Sequence, residues 1–223
     1  NKYDKGRELV QKLLAGTNIA LITDAGTPGI SDPGEELVKM AYEAGIEVTS
    51  LPGACACVTA LTLSGLSTRR FVFEAFLPPD KKEHKLALER LKNETRTMIV
   101  YEAPHHLLKT LRELLETLGN RRLTLCRELT KKHETAWQTT IEDAITRYEQ
   151  EDPKGECVLV IEGRSQKEIE EEAKAAFEEI SIEEHMKRYE DQGIARKEAM
   201  KLVAKDRGVT KRDIYQYLLR KES

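Results

Sequence analysis

A segment rich in glycine and proline constrains the fold of this chain more than any other feature. It reads Ile22-Thr-Asp-Ala-Gly-Thr-Pro-Gly-Ile-Ser-Asp-Pro-Gly34. The apolar run 19–22 before it is typical of a buried parallel strand, and the apolar spacing of residues 35–44 after it predicts a helix. We expect Asp32 to cap that helix, with Pro33 in its first turn. Because ligands bind at the carboxyl ends of strands in α/β sheets, the segment predicts both an α/β fold and a ligand site.

The glycine pattern excludes the two familiar phosphate-binding loops. The segment lacks the Gly-Lys-Ser/Thr ending of a P-loop, and Gly26 with Gly29 does not complete a G-x-G-x-x-G fingerprint. Taken alone, these residues predict a small ligand that is held by backbone groups.

Strand-like and helix-like segments alternate along the following part of the chain, which indicates α/β architecture. The predicted strands are 19–23, 46–51, 71–76, 97–102, 123–127 and 157–161, and the predicted helices are 1–14, 35–44, 54–63, 84–93, 105–118 and 141–149. A helix that feeds the strand at 19–23 is the second half of a β–α–β unit. We therefore expect that a first strand and its loop precede residue 1 and are absent from this sequence.

The composition changes after Gly163. Residues 165–179 are acidic and alanine-rich, typical of a solvated connecting helix, and two short helices are predicted at 194–207 and 210–220. From Ile194 onward nine Lys and Arg face four Asp and Glu. This basic, helix-turn-helix-like tail is a candidate nucleic-acid-binding segment, and the alternative is a small helical cap with solvated charges.

Overall composition excludes several classes of protein. The 223 residues carry a net charge of −3, so the whole molecule is not a polycation. There is no apolar run of membrane-spanning length and no secretory signal, so we expect a cytoplasmic protein that does not contact membranes. The four cysteines do not have the spacing of a common zinc site, so we expect buried free thiols and no metal.

Two charged clusters follow predicted strands. Residues 101–106 close one strand and open a helix at Pro104, and residues 127–134 follow the next strand. We expect both clusters at the carboxyl ends of neighbouring strands. Neither His105 nor His133 has a visible Ser or Cys nucleophile paired with it, so a hydrolase triad is unsupported.

Six further motifs follow the glycine-rich loop in a fixed order. They are Leu51-Pro-Gly-Ala54, Leu61-Thr-Leu-Ser-Gly-Leu66, Phe73-Glu-Ala-Phe-Leu-Pro78, Tyr101-Glu-Ala-Pro-His105, Arg127-Glu-Leu-Thr-Lys131 with His133-Glu134, and Gly155-Glu156. With the loop and the basic tail, this set strongly resembles the small-subunit ribosomal RNA methyltransferase I family, a branch of the tetrapyrrole (corrin/porphyrin) methylase superfamily. The resemblance runs from about residue 8 to the end.

The resemblance implies methyl transfer from S-adenosylmethionine to the 2′-hydroxyl of a cytidine ribose in the decoding region of small-subunit (16S) ribosomal RNA. It implies two α/β domains with the cofactor in the cleft between them, usually in a homodimer. The first domain would span 1–68, the second 69–164, and the acidic linker helix with the basic helical extension 165–223.

Carried over by motif, the cofactor-binding residues are Gly26, Thr27, Pro28, Gly29, Ile30, Cys55, Ala56, Tyr101, Gly155, Glu156 and Cys157. The expected RNA-binding residues are Arg127, His106, Arg196, Lys197, Lys201, Lys211 and Arg212. Two positions depart from the family pattern. Cys55 stands where a small Ser or Ala is typical, and His106 stands where Arg is usual, which weakens an RNA-phosphate contact.

A ribose hydroxyl is a poor nucleophile until its proton is removed or strongly hydrogen-bonded, and a positioned base contributes typically ~10²–10⁴-fold. The candidates at strand ends are Glu102, Glu128, Lys131 and His133, of which we expect Glu102, Glu128 and Lys131 to be catalytic. Two alternatives stay open. One is a tetrapyrrole C-methylase of the cobalamin or sirohaem type, and the other is an RNA-binding or ribosome-assembly module that has lost catalysis.

Overall fold

The described part of the chain folds into a five-stranded sheet and ten α-helices. The computed structural model describes residues 2–222, without the side chains of residues 2, 3, 173, 178, 221 and 222. The strands are β1 (Phe71–Phe76), β2 (Thr97–Glu102), β3 (Arg122–Arg127), β4 (Thr135–Thr140) and β5 (Cys157–Ile161). The helices are α1 (Lys2–Leu14), α2 (Gly34–Glu43), α3 (Ala56–Ser64), α4 (Lys81–Lys92), α5 (Leu107–Leu118), α6 (Ile141–Tyr148), α7 (Gln166–Glu178), α8 (Ile182–Glu190), α9 (Arg196–Arg207) and α10 (Lys211–Glu222). Asn1, where the first predicted helix begins, lies outside the described residues.

The chain divides into two compact units. The first runs to Gly163 and the second, which we call the C-terminal unit, begins at Arg164. The expected boundary between two α/β domains at residue 68, which falls within the first unit, stays a prediction.

The sheet has the strand order β1-β2-β5-β3-β4. β1 pairs with β2 in parallel, as a helical crossover through α4 requires, whereas β5 lies between β2 and β3 and is antiparallel to both. The prediction that β2 and β3 are neighbouring strands is therefore wrong, because β5 separates them. Their carboxyl ends nevertheless reach the same edge of the sheet, on either side of Cys157.

The two faces of the sheet are covered unequally. Helices α4, α5 and α6 pack a large apolar cluster on one face, which we call the core face, through residues such as Leu91, Leu114 and Ile141. Helix α3 alone covers most of a smaller cluster on the other face, the α3 face, which includes Cys57, Cys126 and Tyr101. Successive strand residues alternate between these faces.

Two predicted strands are not strands in the structure. Residues 19–23 and 46–51 are extended or irregular, and neither is part of the described sheet. Ile22 is 85% exposed and Leu51 is 82% exposed. An apolar run becomes a strand only when a neighbouring strand satisfies its backbone groups, and the described residues supply no such partner here.

Two elements were not predicted. β4 forms an antiparallel pair with β3, and α8 precedes the two predicted helices of the C-terminal unit. In that unit, α8, α9 and α10 bury a separate cluster of Met186, Ala199, Val203, Ala204, Ile214 and Leu218. At the start of α10, Thr210 and Asp213 form a reciprocal capping pair, because Thr210 N–H donates to Asp213 Oδ2 at 2.9 Å and Asp213 N–H donates to Thr210 Oγ1 at 3.3 Å.

Candidate functional site

The glycine-rich loop is joined to the segment that opens α3. The Thr27 N–H and the Thr27 hydroxyl both donate to the Ala54 carbonyl, at 2.8 Å and 3.1 Å. Gly26 lies at φ +77, and a Cβ there would stand 2.9 Å from the same carbonyl oxygen. Two motifs that lie far apart in sequence therefore form one surface, and Gly26 is required for their close approach.

Asp32 closes the loop on itself. Its carboxylate accepts from the Gly29 N–H at 2.8 Å and from the Gly34 N–H at 2.7 Å. The expectation that Asp32 is the N-cap of α2 is wrong, because Pro33 holds that position and Asp32 lies one residue earlier. Asp32 still accepts hydrogen bonds, but these bonds fix the conformation of the loop. Gly29 lies at φ +83, with no atom within 4 Å of where its Cβ would stand, so this part of the loop is open to a ligand.

Cys55 and Tyr101 both pack on the α3 face, and Ala56 follows Cys55 as the first, exposed residue of α3. Cys55 is the N-cap of α3, and its Sγ lies 3.3 Å from the Sγ of Cys57. Tyr101 packs in the same cluster as Cys57. Burial, together with the hydrogen bond to Cys55, raises the pKa of the Cys57 thiol to about 11. Burial also raises the pKa of Tyr101, so its hydroxyl stays protonated.

Two aromatic rings that the sequence analysis did not single out flank Tyr101. Phe73 and Phe76 meet the tyrosine ring edge to face, with ring centroids 4.9 Å and 5.6 Å away. Both belong to a motif that carried the resemblance, which was the signal available in the sequence. Together with Tyr101 they form an apolar wall near the first residues of α3.

Glu102 follows Tyr101 but lies on the core face. It is buried, one carboxylate oxygen accepts from the Thr110 hydroxyl at 2.5 Å, and the other accepts from the Ala103 N–H at 2.8 Å. Both oxygens are thus occupied by groups of the protein. Glu102 fastens the end of β2 to α5.

Arg127 is the last residue of β3, as Glu102 is the last residue of β2. Glu102 and Arg127 are both in register with Cys157, from opposite sides of β5. Burial raises the pKa of the Cys157 thiol to about 12, although the charge of Arg127 opposes the shift. Cys157 is therefore an apolar neighbour between two charged residues rather than a nucleophile.

The turn after β3 holds the remaining predicted catalytic pair. Lys131 Nζ donates to Glu128 Oε1 at 3.1 Å, and the lysine side chain is more exposed than the glutamate. Glu128 and Thr130 have φ values of 50° and 64°. Such backbone costs of order 1–3 kcal/mol per residue and is concentrated at functional sites.

Gly155 contacts the catalytic candidate Glu128. It lies at φ +74, and a Cβ there would stand 2.2 Å from Glu128 Oε1. Gly155 was expected to bind the cofactor and Glu128 to act in catalysis, and the structure brings these two residues together. Glu156, the next cofactor candidate, is exposed, as is His133.

The predicted RNA-binding residues are divided between the two units. In the first unit Arg127 is half-buried, with its Nε 3.5 Å from the Thr135 hydroxyl, and His106 is exposed with its ring 4.1 Å from that of His105. In the C-terminal unit, Arg196, Lys197 and Lys201 lie on α9, and Lys211 and Arg212 lie on α10. Lys201 forms an exposed ion pair with Glu198 at 2.8 Å.

Three further features concern the residues that the structure describes. Within residues 2–222, no three His, Cys, Asp or Glu side chains form a group that could hold a metal ion. Across the same residues, no helix combines the length and apolar character that crossing a membrane requires. A groove of about 480 Å³ between α4 and α5, lined by Lys85, His84 and Glu113 among others, contains none of the predicted site residues.

The fold and the matching residues define a class of protein. The family model for Tetrapyrrole (Corrin/Porphyrin) Methylases matches residues 2–145. Uroporphyrin-III C-methyltransferase from Thermus thermophilus, solved in complex with S-adenyl homocysteine, is similar in fold, with a TM-score of 0.50 and 17% identity over 72% of this chain and 73% of that one. The predicted α/β fold of the tetrapyrrole-methylase type is confirmed.

Sequence relatives define the family more narrowly. Ribosomal RNA small subunit methyltransferase I from Synechocystis sp. is 44% identical over 100% of this chain and 78% of the relative. The protein of the same name from Halalkalibacterium halodurans is 47% identical over 96% of this chain and 74% of the relative. The chain belongs to the ribosomal RNA small subunit methyltransferase I family, within the tetrapyrrole methylases. Membership confirms the resemblance and the predicted cofactor, S-adenosylmethionine.

Proposed function

We propose that this chain uses S-adenosylmethionine to methylate the 2′-hydroxyl of a cytidine ribose in the decoding region of 16S ribosomal RNA. The observation that carries the proposal is the 44–47% identity to relatives named for methylation of small-subunit ribosomal RNA. Identity to the uroporphyrin-III C-methyltransferase is 17% and supports the fold alone. The difference favours an RNA substrate over a tetrapyrrole macrocycle.

The residues around the α3 face fit this cofactor. The open side of Gly29, the close approach at Gly26 and the apolar wall at Tyr101 offer backbone groups and apolar surface, which an adenosine and a methionine group require. We assign cofactor contacts to residues 26–30, 55–56 and Tyr101, and to residues 155–157 at the neighbouring sheet edge. When bound, S-adenosylmethionine supplies a methyl group on a positively charged sulfur.

Glu128 is the group that we assign to the proton of the ribose hydroxyl. A lysine ammonium offers donors and no acceptor, so in the Glu128–Lys131 pair the carboxylate is the acceptor. Gly155 leaves room for this carboxylate at the sheet edge. Lys131 orients it through the 3.1 Å hydrogen bond and is exposed enough to contact an RNA phosphate as well.

Glu102 has a different assigned role. Its two oxygens already accept from Thr110 and Ala103, and it is buried on the core face. We infer that Glu102 is a positioning residue, which holds the end of β2 so that Tyr101 keeps its place on the α3 face. Because Glu102 is buried, we do not assign it a contact with the ribose.

The C-terminal unit is the proposed site of electrostatic RNA binding. Its last 30 residues, from Ile194, carry nine Lys and Arg against four Asp and Glu. Arg207 is not part of the proposed surface, because its guanidinium donates to His185 and to the Ile180 and Ser181 carbonyls. Lys197, Lys211 and Arg212 are the assigned phosphate contacts, and the homodimer stays a prediction.

The test is methyl transfer from labelled S-adenosylmethionine to 30S subunits that lack the modification. Naked 16S RNA and a tetrapyrrole precursor are the comparison substrates. We expect label in the RNA of the subunits as 2′-O-methylcytidine. Label in the macrocycle, or label on a base rather than on the ribose, would contradict the proposal.

A further inference from the structure

We propose that Cys55 and Cys57 form a redox-sensitive dithiol, which closes to an intrachain disulfide and thereby lowers cofactor affinity. The first part rests on the geometry of the two thiols alone. The second part also rests on the proposed function, because it places the cofactor beside Cys55.

The two sulfur atoms are close to bonding distance. Cys55 Sγ lies 3.3 Å from Cys57 Sγ, whereas a disulfide bond is about 2.05 Å long. The residues are separated by two Cα steps of about 3.8 Å each, so their backbones cannot lie far apart. Cys55 has extended backbone (φ −139, ψ 114) at the N-cap of α3, and Cys57 lies in the first turn. Because only Ala56 separates the two residues, we expect the backbone at Cys55 to move together with its side chain when the sulfurs come to bonding distance.

The exposures of the two thiols assign them different roles. Cys55 is half-buried and can meet a small oxidant, whereas Cys57 is 5% exposed. Burial raises the pKa of the Cys57 thiol to about 11, which disfavours a direct reaction of Cys57 with an external oxidant. Cys55 is therefore the thiol that reacts first, and Cys57 is the resolving thiol.

A peroxide is the oxidant that we assign to the formation of this disulfide. The Cys55 thiol gives up its proton, the thiolate attacks one peroxide oxygen, and the O–O bond breaks to leave a sulfenic acid. The departing hydroxide takes up the Cys55 proton and is released as one water. The Cys57 sulfur then attacks the Cys55 sulfur, the S–O bond breaks, and the hydroxide leaves with the Cys57 proton as a second water. The two thiols together lose two electrons and two protons, and the peroxide is reduced to two water molecules.

The disulfide would form where the glycine-rich loop is hydrogen-bonded to the segment before α3. The Ala54 carbonyl, next to Cys55, accepts both hydrogen bonds from Thr27. The Cys55 carbonyl accepts from the Thr59 N–H and from the Thr59 hydroxyl, each at 3.0 Å, which fixes the start of α3. Shortening the sulfur distance pulls on the chain between these two carbonyls. The loop at residues 26–30 then loses the support that keeps it open to the cofactor.

Mass spectrometry tests the dithiol without reference to activity. Residues 40–69 form one tryptic peptide that contains both cysteines. After treatment of the full chain with hydrogen peroxide and alkylation, we expect this peptide unalkylated and lighter by two hydrogens, and dithiothreitol should reverse the change. Cys57→Ser and Cys57→Ala should both prevent it. Cys126→Ser, a buried cysteine on the same face, is the matched control and should not. A wild-type peptide that keeps two alkylatable thiols would overturn the proposal.

Calorimetric titration with S-adenosylhomocysteine tests the effect on the site. We expect at least tenfold weaker binding to the oxidised chain, with affinity restored by dithiothreitol. If the disulfide forms and affinity does not change, the proposed control of binding is wrong. If the reduced chain binds no S-adenosylhomocysteine at all, the proposed function fails, while the mass measurement still decides whether the disulfide exists.

Discussion

The two faces of the sheet differ in what their side chains do. Among the described residues, α4, α5 and α6 pack a cluster of 18 buried apolar residues on the core face, and the nearby buried carboxylate of Glu102 accepts a hydrogen bond at each oxygen. On the α3 face, the cluster has seven buried residues, two of them cysteines, and it borders the open loop at Gly29. Since burial of apolar area dominates stability, the core face stabilises the fold, and the thinner α3 face leaves room for a ligand.

The comparison predicts that substitutions on the two faces have separable effects. A change within the apolar cluster of the core face should lower stability and leave turnover per folded molecule intact. A change at the loop or the sheet edge should lower binding or turnover and leave stability nearly unchanged.

The largest expected effect is on the core face. Leu114 is fully buried on α5, so Leu114→Ala should lower the free energy of unfolding by about 2–5 kcal/mol. Leu86→Ala is the matched control, because Leu86 on α4 is 49% exposed and its truncation should cost less than about 0.5 kcal/mol. Urea denaturation measures both. Equal losses for the two variants would contradict the assignment of the core face as the main source of stability.

The second effect is on the open loop. Gly29→Val forces a β-branched residue into a backbone with φ +83 and places a side chain where the cofactor is expected. S-adenosylmethionine affinity should fall at least about 100-fold, or ~2.8 kcal/mol. Gly45→Val is the control, because Gly45 also has positive φ and open space but lies outside the loop. Calorimetry that finds the same affinity for both variants would remove Gly29 from the site.

Local features of the fold could be predicted from the sequence, whereas features that depend on long-range pairing could not. Buried apolar runs such as 97–102 and 157–161 gave β2 and β5 at their observed bounds, and the ordered motifs gave the family. The runs at 19–23 and 46–51 have the same character but no described partner strand, which composition does not reveal. β4 was missed because Thr135–Thr140 is half-exposed and rich in threonine rather than in aliphatic residues.

The candidate site could likewise be predicted only in its local features. Each motif residue could be identified, but contacts between motifs could not. Thr27 with Ala54, and Glu128 with Gly155, are pairs 27 residues apart in both cases, and only the folded chain shows that they touch. The position of β5 between β2 and β3 likewise depends on long-range pairing, so the neighbour relation of the two strand ends was predicted wrongly.

The smallest expected effect lies outside both faces, in the C-terminal unit. Replacing Lys211 and Arg212 by alanine should weaken 30S binding several-fold and reduce the slope of log affinity against log salt by about 1 to 2. Lys167 and Lys187, on α7 and α8, are exposed lysines outside the basic tail, and their double alanine variant is the control. Filter binding at several salt concentrations measures the slopes. Identical slopes for the two double variants would reduce the tail to a structural cap.

The most direct test of the account is single-turnover methyl transfer to 30S subunits by Glu128→Gln. Glutamine keeps the shape beside Gly155 but cannot accept the hydroxyl proton as a carboxylate does. We predict at least a tenfold lower rate, ~1.4 kcal/mol in barrier, with unchanged S-adenosylmethionine affinity and unchanged stability to urea. A wild-type rate, or a loss of rate that only follows a loss of folded protein, would contradict the assignment of the sheet edge as the place where the proton is handled.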